Sequence, residues 1–384
     1  MEYRRPHRGP RTQQSVIRWD FGVFGNVCAE ILLSRLRKSP VAIPAMISDM
    51  SAISSIQAET LDILRTVIPA GSTVALLDFP NHANAGDVLI YRGELAYLQR
   101  LGCEIAYTAT FNTYDKGALA SAVSTGPILL HGGGNFGDRY PIYQPFRERV
   151  IGENRDRPII CLPQTFEYTD QSALTHTQQV YGEHPDLTLL IRDRSALQRV
   201  TELFPANQVR YCPDTALGTG RIDPAREPDH DVVFLKRTDD ESAFSVDDIP
   251  QSLIDEAFTH DWRMEWFGYD LKWWPQSLAI VSLSMVPVFR RRIHRWAKRA
   301  FDRQSELIVH SAVDALSRGR VVLTDRLHGA VLGVLLEKPV VMVDNANSKL
   351  SAAFRDYLAT FAHVALARDF HEGYDVAKSM ASTL

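Results

Sequence analysis

The sequence lacks the features that mark several classes of protein. Its four cysteines, Cys28, Cys103, Cys161 and Cys212, lie far apart in 384 residues, without the spacing of a zinc site or of a disulfide-rich domain. No run of about 18 apolar residues predicts a membrane-spanning helix, and the first residues lack the apolar core of a secretory signal. These absences predict a cytoplasmic protein with reduced cysteines.

The composition is that of an ordinary globular protein. Hydrophobic residues make up 45% and charged residues 23% of the chain, with 22 Gly and 20 Pro, which excludes collagen-like and disordered chains. At roughly 150 residues per domain, the length predicts two or three domains. A cleft between two of them is therefore available for a ligand.

The charge is distributed unevenly. The formal net charge of -4 does not indicate a nucleic-acid-binding protein. Residues 1–11 nevertheless carry four Arg against one Glu, and residues 290–303 carry six Arg and one Lys against one Asp. The remainder of the chain is therefore acidic, and the two basic segments need an explanation of their own.

The order of apolar runs and helical segments predicts an α/β fold. Short apolar runs at 73–77, 104–108, 127–131, 158–162, 188–191 and 209–212 alternate with helical segments, as in a parallel sheet covered on both faces. A Gly- and Pro-containing linker at 218–230 precedes a second set of strands at 231–235, 321–324 and 339–343. The predicted division is an extension at 1–55, a doubly wound domain at 56–217 and a second α/β domain at 218–384, whose helices near 351–361 are expected to pack back on the first domain.

Candidate site residues follow the predicted strands, because ligands of open parallel sheets bind beyond the carboxyl ends of the strands. The first strand leads through Asn84 to Asp87, which either caps a helix or has a functional role. The third strand leads into three glycines, including Gly133 and Gly134, and then Asn135. This run indicates either a tight turn or a loop whose backbone N–H groups bind an anion. The fourth strand ends at Gln164.

Two further segments supply cations and a histidine. Arg192 follows one strand, and Arg326, Leu327 and His328 follow another at the start of a helix. The alternative roles for Arg326 and His328 are domain packing and helix capping. An arginine can bind a carboxylate or phosphate with two hydrogen bonds, and a histidine exchanges protons near neutral pH. With Lys349, these residues predict an anionic substrate, with His328 and Asp87 available for proton transfer.

The ordered segments DFPNHANAGDVLIYRGELAYL, ILLHGGGNFGD, LPQT, IRDRSAL, CPDTAL and TDRLHGAVLGVLLEKPVV together resemble the bacterial polysaccharide pyruvyl transferases. The resemblance covers about residues 70–360. It implies a fold similar to GT-B glycosyltransferases, with two Rossmann-like domains facing across a cleft. It also implies phosphoenolpyruvate as the donor substrate, no separate cofactor or metal, and a product that carries pyruvate as a cyclic ketal.

The resemblance also implies roles for individual residues. Arg192, Arg326 and His328 would bind the phosphate and carboxylate of the donor, with backbone contacts from Leu327. His328 would be the acid, Lys349 aligns with a functional lysine of some members, and Asp87 matches the first loop. Two other functions remain open: a GT-B glycosyltransferase that uses a nucleotide sugar, and a non-catalytic polysaccharide-assembly protein on the same fold.

An insertion at 262–303 departs from a compact Rossmann pattern. It is rich in Trp and ends in an amphipathic segment whose predicted apolar face contains Phe289, Ile293, Trp296, Ala297, Ala300 and Phe301. Such a helix either lies on an anionic membrane surface or packs on this or a neighbouring subunit. The first alternative fits an acceptor that is an oligo- or polysaccharide on a lipid carrier. The acceptor sugar and the oligomeric state are not predicted.

Overall fold

Strands of three to nine residues form two parallel sheets, and most of them are apolar runs that the sequence predicts. The structure is a computed structural model and describes residues 42–238, 248–262, 268–344 and 348–384. Most of the predicted extension at 1–55 and Trp266 of the insertion lie outside the described residues. Residues 48–384 form one compact unit, so the predicted boundary near 218 stays a prediction.

The first sheet has seven strands. The fourth strand, which begins at Gly133, pairs with the fifth strand beyond the end of the third. Its main order is β2-β1-β3-β5-β6-β7, with β4 paired to β5, and every pairing is parallel. The strands are β1 (Thr73–Leu77), β2 (Glu104–Ala109), β3 (Ile128–Leu130), β4 (Gly133–Gly137), β5 (Ile159–Glu167), β6 (Leu187–Ile191) and β7 (Gln208–Tyr211).

The helices around this sheet fall between its strands. They are α1 (Ala42–Val67), α2 (Ala85–Arg100), α3 (Lys116–Ala122), α4 (Tyr143–Glu153), α5 (Gln171–Gly182) and α6 (Arg194–Leu203), and a 3-10 helix follows at Thr215–Thr219. Asn84, Asp115, Asp170 and Asp193 cap α2, α3, α5 and α6 by accepting a hydrogen bond from a backbone N–H, which explains why these helices begin where they do.

The second sheet has five parallel strands in the order β12-β11-β10-β8-β9. Its strands are β8 (His230–Leu235), β9 (Phe258–His260), β10 (Gly319–Thr324), β11 (Val340–Val343) and β12 (Val364–Ala367). The helices are α7 (Gln251–Glu256), α8 (Asp270–Ser284), α9 (Pro287–Ser317), α10 (Leu327–Leu335), α11 (Lys349–Asp356) and α12 (Phe370–Ser382), with a 3-10 helix at Leu358–Thr360. The predicted α/β class is confirmed.

Helices α2 and α10 pack together in a hydrophobic core that also contains strand residues of the second sheet. Val88, Leu89 and Ile90 of α2 are fully buried in the same hydrophobic cluster as Ala330 and Val331 of α10. The expected contact of the 351–361 region with the first domain is also present, because the backbone N–H of Arg194 donates to Asp356 of α11 at 3.0 Å. The elements of the two sheets are therefore in contact through packed helices and through this hydrogen bond.

The amphipathic segment of the insertion is part of one long helix, α9. Its Ile293, Ala297 and Phe301 are buried in the core of the first sheet, so the packing alternative is right for these three residues. Phe289 and Trp296 belong to the predicted apolar face but remain exposed. Within the described ranges, no helix combines the length and the hydropathy needed to cross a bilayer.

Candidate functional site

The strand ends of both sheets converge on one pocket. In the first sheet the strand order reverses between β1 and β3, and in the second it reverses between β8 and β10. Such reversals open a crevice at the carboxyl ends of the strands. The pocket has an empty volume of about 600 Å³, including space open to solvent, and its lining residues are Asn84, Asp87, Gly134, Asn135, Tyr140, Arg192, Arg237, Trp262, Arg326, Leu327, His328 and Lys349.

The charges that line the pocket fit an anionic ligand. Three arginines and Lys349 line it together with His328, and Asp87 is the one carboxylate among the described lining residues. The pocket brings together nine of the eleven residues that the sequence predicts for the site. Because a positive, partly enclosed site attracts and orients carboxylates and phosphates, the geometry favours a small ligand with several negative charges.

Arg192 and His328 share one buried carboxylate, although they come from different sheets. Asp214 Oδ2 lies 2.6 Å from Arg192 Nη1 and 3.2 Å from His328 Nε2, and the two nitrogens are 3.5 Å apart. Arg192 Nε also donates to Thr165 Oγ1 at 2.9 Å. Burial would raise the pKa of Asp214, but the charges of Arg192 and His328 hold it well below its usual range. An ionised Asp214 can only accept, so it orients both side chains.

Arg326 is held in the same way on the other side of the pocket. Its Nε donates to Asp261 Oδ1 at 2.5 Å, and its backbone N–H donates to Thr324 Oγ1. Burial acts to raise the pKa of Asp261, but the hydrogen bond and charge of Arg326 lower it. Asp261 follows β9, a three-residue strand that the sequence does not reveal. The sequence therefore identifies the cation but misses the carboxylate that positions it.

Lys349 reaches the pocket from the first residue of α11. Its Nζ lies 3.0 Å from Glu167 Oε2 at the end of β5. Burial acts to raise the pKa of Glu167, and the nearby Lys349 and Arg139 lower it. Lys349 is thus a second-sheet cation that is held by a first-sheet carboxylate.

Asp87 lies in the first turn of α2, where the sequence left capping and function open. The cap is Asn84, whose Oδ1 accepts from the backbone N–H of Gly86 at 2.9 Å. Asn84 Nδ2 donates to Asp87 Oδ2 at 3.0 Å, and His82 Nε2 lies 3.5 Å from the same oxygen. Asp87 is therefore free of the capping role and faces the pocket with a hydrogen-bonded carboxylate.

The glycine run is a strand and not the expected loop. Gly133–Gly137 pairs with β5 as β4. At Gly132 a Cβ would come 2.4 Å from the carbonyl oxygen of Pro163, and Gly133 has φ +96°, so the backbone requires glycine at both positions. Gly134 and Asn135 line the pocket, but Gly133 is not among its lining residues; a Cβ there would lie 3.3 Å from Asp87 Oδ1.

Gln164 also differs from its predicted position. Strand β5 continues to Glu167, so Gln164 lies inside the sheet and its side chain is fully buried. Its Oε1 accepts from Arg147 Nη1. The structure therefore places Gln164 below the pocket, in contact with a buried arginine, and not in its lining.

Three lining residues are absent from the sequence-based set: Tyr140, Arg237 and Trp262. Arg237 follows β8 by two residues, as Arg326 follows β10, so the strand-end rule could have found it. Tyr140 and Trp262 follow β4 and β9, two strands that no pattern in the sequence marks, so the same rule could not find them. A search of the described ranges finds no group of three His, Cys, Asp or Glu residues arranged to hold a metal ion.

Asp325 is buried beside the site. Its carboxyl group should make the free energy of unfolding depend on pH. Its Oδ1 accepts from the backbone N–H of Arg237 at 2.7 Å, and burial raises its pKa to about 6. A carboxyl with a raised folded-state pKa stabilises the fold below its unfolded pKa of about 3.9, and this contribution is lost as the pH rises through 6.

We therefore expect the wild type to lose about 1 kcal/mol of unfolding free energy between about pH 5 and pH 8 through this group. Asp325→Asn should lack this loss, as urea unfolding at the two pH values would measure. If the difference in unfolding free energy between the wild type and Asp325→Asn were the same at both pH values, Asp325 would not be the source of the pH dependence.

Gly86 allows His328 to approach α2 closely. A Cβ at position 86 would lie 2.8 Å from His328 Nδ1 and 3.0 Å from its Cβ. Gly86→Ala should displace the histidine, and a displacement of about 1 Å at a reacting group lowers kcat about 100-fold. Gly152→Ala is the matched control, because Gly152 also lies in a helix but a Cβ there meets nothing within 4 Å. Equal activity of both variants would argue against a need for His328 at this position.

Comparisons with known proteins agree on one family. A family model described as polysaccharide pyruvyl transferase matches residues 84–347, more than half of the chain. EpsO of Bacillus subtilis, named as a pyruvyl transferase, is 27% identical over 297 residues, which cover 77% of this chain and 88% of that protein. Pyruvyl transferase 1 of Schizosaccharomyces pombe is 32% identical over 285 residues, 71% of this chain and 66% of that protein.

A crystal structure of an uncharacterized protein from Klebsiella pneumoniae matches the fold. The TM-score is 0.51 at 16% sequence identity, over 81% of this chain and 98% of that chain. At this identity the likeness supports the fold alone.

Proposed function

The chain belongs to the polysaccharide pyruvyl transferase family, and from that premise we propose that it transfers the enolpyruvyl group of phosphoenolpyruvate to two hydroxyls of a hexose. The hexose would be part of an exopolysaccharide or of its lipid-linked precursor, and the products would be a pyruvate ketal and phosphate. The observation that carries this proposal is the pocket with Arg192, Arg237, Arg326, Lys349 and His328 in its lining.

The two anionic groups of phosphoenolpyruvate can each be bound by one arginine of the pocket. Phosphoenolpyruvate carries a carboxylate and a phosphate on the same carbon, C2, and two guanidinium groups from different sheets can each bind one of them with two hydrogen bonds. Arg192 and Arg326 are both largely buried and fixed by carboxylates. Because these side chains are already fixed, they need little rearrangement to stabilise the charge that develops on the leaving phosphate.

The reaction needs a proton donor and a proton acceptor. His328 would protonate the methylene carbon of the donor, whose C2 then becomes electrophilic and bonds to the oxygen of the first sugar hydroxyl as that hydroxyl loses its proton. The C2–O bond to phosphate then breaks, and the phosphate keeps the electron pair. The second hydroxyl bonds to C2 and closes the ketal, and its proton passes to His328, which replaces the proton given to the methylene carbon. Asp87 would accept a hydroxyl proton.

His328 is well suited to donate from Nδ1. An ionised Asp214 accepts at Nε2, so Nε2 carries a hydrogen. When both ring nitrogens carry a hydrogen, Nδ1 would hold the proton that the donor receives. The acceptor hexose would pack against the aromatic side chains of Tyr140 and Trp262, which line the same pocket.

The proposed architecture is GT-B-like. The seven-stranded sheet would belong to a Rossmann-like domain at 56–217 and the five-stranded sheet to a second one at 218–384, and the donor would bind where their strand ends meet. The enzyme would act in the cytoplasm, without a separate cofactor, at a site close to the inner face of the membrane.

Phosphate release tests this function. The protein should release phosphate from phosphoenolpyruvate only when a hexose-containing acceptor is present, and mass spectrometry should show a pyruvate ketal on that acceptor. Transfer of a sugar from a nucleotide sugar would instead support the glycosyltransferase alternative. Binding of the polysaccharide without turnover of either donor would support an assembly protein.

Arg326→Ala provides the matched site variant. Loss of the Arg326 guanidinium leaves Asp261 buried without its partner and removes a contact with phosphoenolpyruvate. We therefore expect kcat/KM for phosphoenolpyruvate to fall about 100-fold or more. Arg326→Lys should recover only part of this loss, since an ammonium cannot replace two parallel hydrogen bonds. Arg368→Ala, on an exposed surface, should leave kcat/KM unchanged. Wild-type kinetics of Arg326→Ala would reject the proposed donor site.

A further inference from the structure

Helices α8 and α9 and the turn between them carry exposed apolar side chains, six of which we call the hairpin patch. It consists of Trp274, Leu278, Met285, Val286, Phe289 and Trp296. Met285 is 73% and Trp296 65% exposed, far more than large apolar residues in a protein interior. Trp274 and Leu278 are four residues apart on α8, and Phe289 and Trp296 are seven apart on α9, so each pair lies on one side of its helix.

Exposed basic residues lie on the same two helices as the hairpin patch. Lys272, Arg292, Arg299 and Arg303 are exposed, and residues 270–303 contain eight basic and two acidic residues. Tryptophan at the edge of an apolar surface with arginines beside it is the composition of helices that lie in the interface of an anionic bilayer. Long basic side chains can reach phosphate groups while their apolar stems stay in contact with the patch.

Charge argues against two other occupants of the patch. Residues 1–41 contain eight basic and three acidic residues, so this segment has the same sign of charge as the hairpin. A second copy of the chain placed with its own hairpin patch on the first would bring like charges together. An anionic lipid surface, in contrast, complements the arginines and removes the apolar side chains from water.

The helices of the patch also rest on the loop that forms the site. Phe301 of α9 stacks on Phe79 at a ring distance of 4.0 Å, and Ser277 Oγ lies 3.1 Å from Asn81 Oδ1. Phe79 and Asn81 belong to the segment between β1 and α2, which supplies Asn84 and Asp87 to the pocket. A surface that binds the hairpin patch is therefore coupled to the site through direct packing.

We propose that the hairpin patch docks on an anionic phospholipid bilayer, with Trp274, Met285 and Trp296 in the interface and the arginines on lipid phosphates. The docked protein would hold its pocket near an acceptor that is attached to a lipid. This last statement rests on the proposed function, but the docking itself does not. Docking thus predicts lipid binding in the absence of donor and acceptor.

Vesicle co-sedimentation of the full chain tests the proposal. The protein should pellet with vesicles of phosphatidylglycerol and phosphatidylcholine at low salt but not with phosphatidylcholine alone, and salt at about 0.5 M should release it because lipid charges are then screened. Quenching of tryptophan fluorescence by brominated lipid should show that indole rings enter the interface. Failure to pellet with the anionic vesicles at low salt would overturn the proposal.

Matched variants distinguish binding through the hairpin patch from non-specific adsorption of the protein to vesicles. Trp274→Ser combined with Phe289→Ser should lower the partition coefficient at least about tenfold, whereas Ile142→Ser, which removes an equally exposed apolar side chain elsewhere, should not change it. Arg292→Gln with Arg299→Gln should lower it about tenfold or more, and Arg368→Gln should not. Loss of binding in the control variants as well would overturn the assignment to the hairpin patch.

Two further measurements make the result unambiguous. The patch variants should keep wild-type phosphate release on a soluble acceptor, so that failed docking and a failed proposed function are distinguishable. Light scattering should give the same mass for the wild type and the patch variants. A wild-type dimer that the patch variants convert to monomers, without vesicle binding in either case, would overturn lipid docking in favour of a second copy.

Discussion

Glutamine in place of His328 should lower kcat for pyruvyl transfer about 1,000-fold. Glutamine has a similar volume and can still donate a hydrogen bond to Asp214, which His328 now contacts at 3.2 Å. It cannot deliver a proton to the methylene carbon of the donor. The arginines that hold the donor are unchanged, so KM for phosphoenolpyruvate should change little. Steady-state phosphate release, with the donor and the acceptor each varied, measures both constants.

The control for this variant is His371→Gln. His371 is exposed on α12 and should tolerate the same substitution with no change in kcat. Thermal unfolding of both variants should match that of the wild type, because His328 is at the surface of the pocket and not in the core. If His328→Gln retained a kcat within threefold of the wild type, another group would have to be the acid.

Nine of the twelve strands were predictable, because each of these nine is a short apolar run or contains one. The run at 73–77 was predicted with its observed bounds, and helices were expected in every interval of the first sheet. Strand β4 was not predicted, because a glycine-rich segment has no side-chain pattern of a strand and pairs only when β5 extends beside it. Strands β9 and β12 have three and four residues, too few to show a period.

The cations of the site were predictable for a topological reason. Arg192 and Arg326 each follow a buried parallel strand, and such strands all end at the same edge. Asp214 and Asp261 could not be assigned, because their roles depend on which strand ends the order of strands in each sheet brings close together. Gln164 was misplaced for a related reason: β5 continues past the last apolar residue of its run, so the apparent end of the strand lies inside the sheet.

Beneath the pocket, Arg147 should be the most costly residue to remove. Its side chain is completely buried and donates to Asp78 from Nε at 2.8 Å, to Gln164 and to the carbonyl oxygen of His131. These three acceptors lie on β5 or directly after β1 and β3, so one arginine ties together the strand ends that carry the site. Arg147→Met should lower the free energy of unfolding by about 3–5 kcal/mol, since it leaves Asp78 buried without its partner.

Chemical denaturation with Arg149→Met as the control would measure this loss. Arg149 lies on the same helix but is exposed and pairs with Glu153 at 2.9 Å, so its replacement should cost less than about 1 kcal/mol. Where Arg147→Met does not fold, Asp78→Asn combined with Arg147→Met removes both charges and should recover part of the stability, since asparagine also tolerates the φ of +67° at this position. A double variant no more stable than Arg147→Met would show that the arginine acts through Gln164 and the His131 carbonyl, and not through its pairing with Asp78.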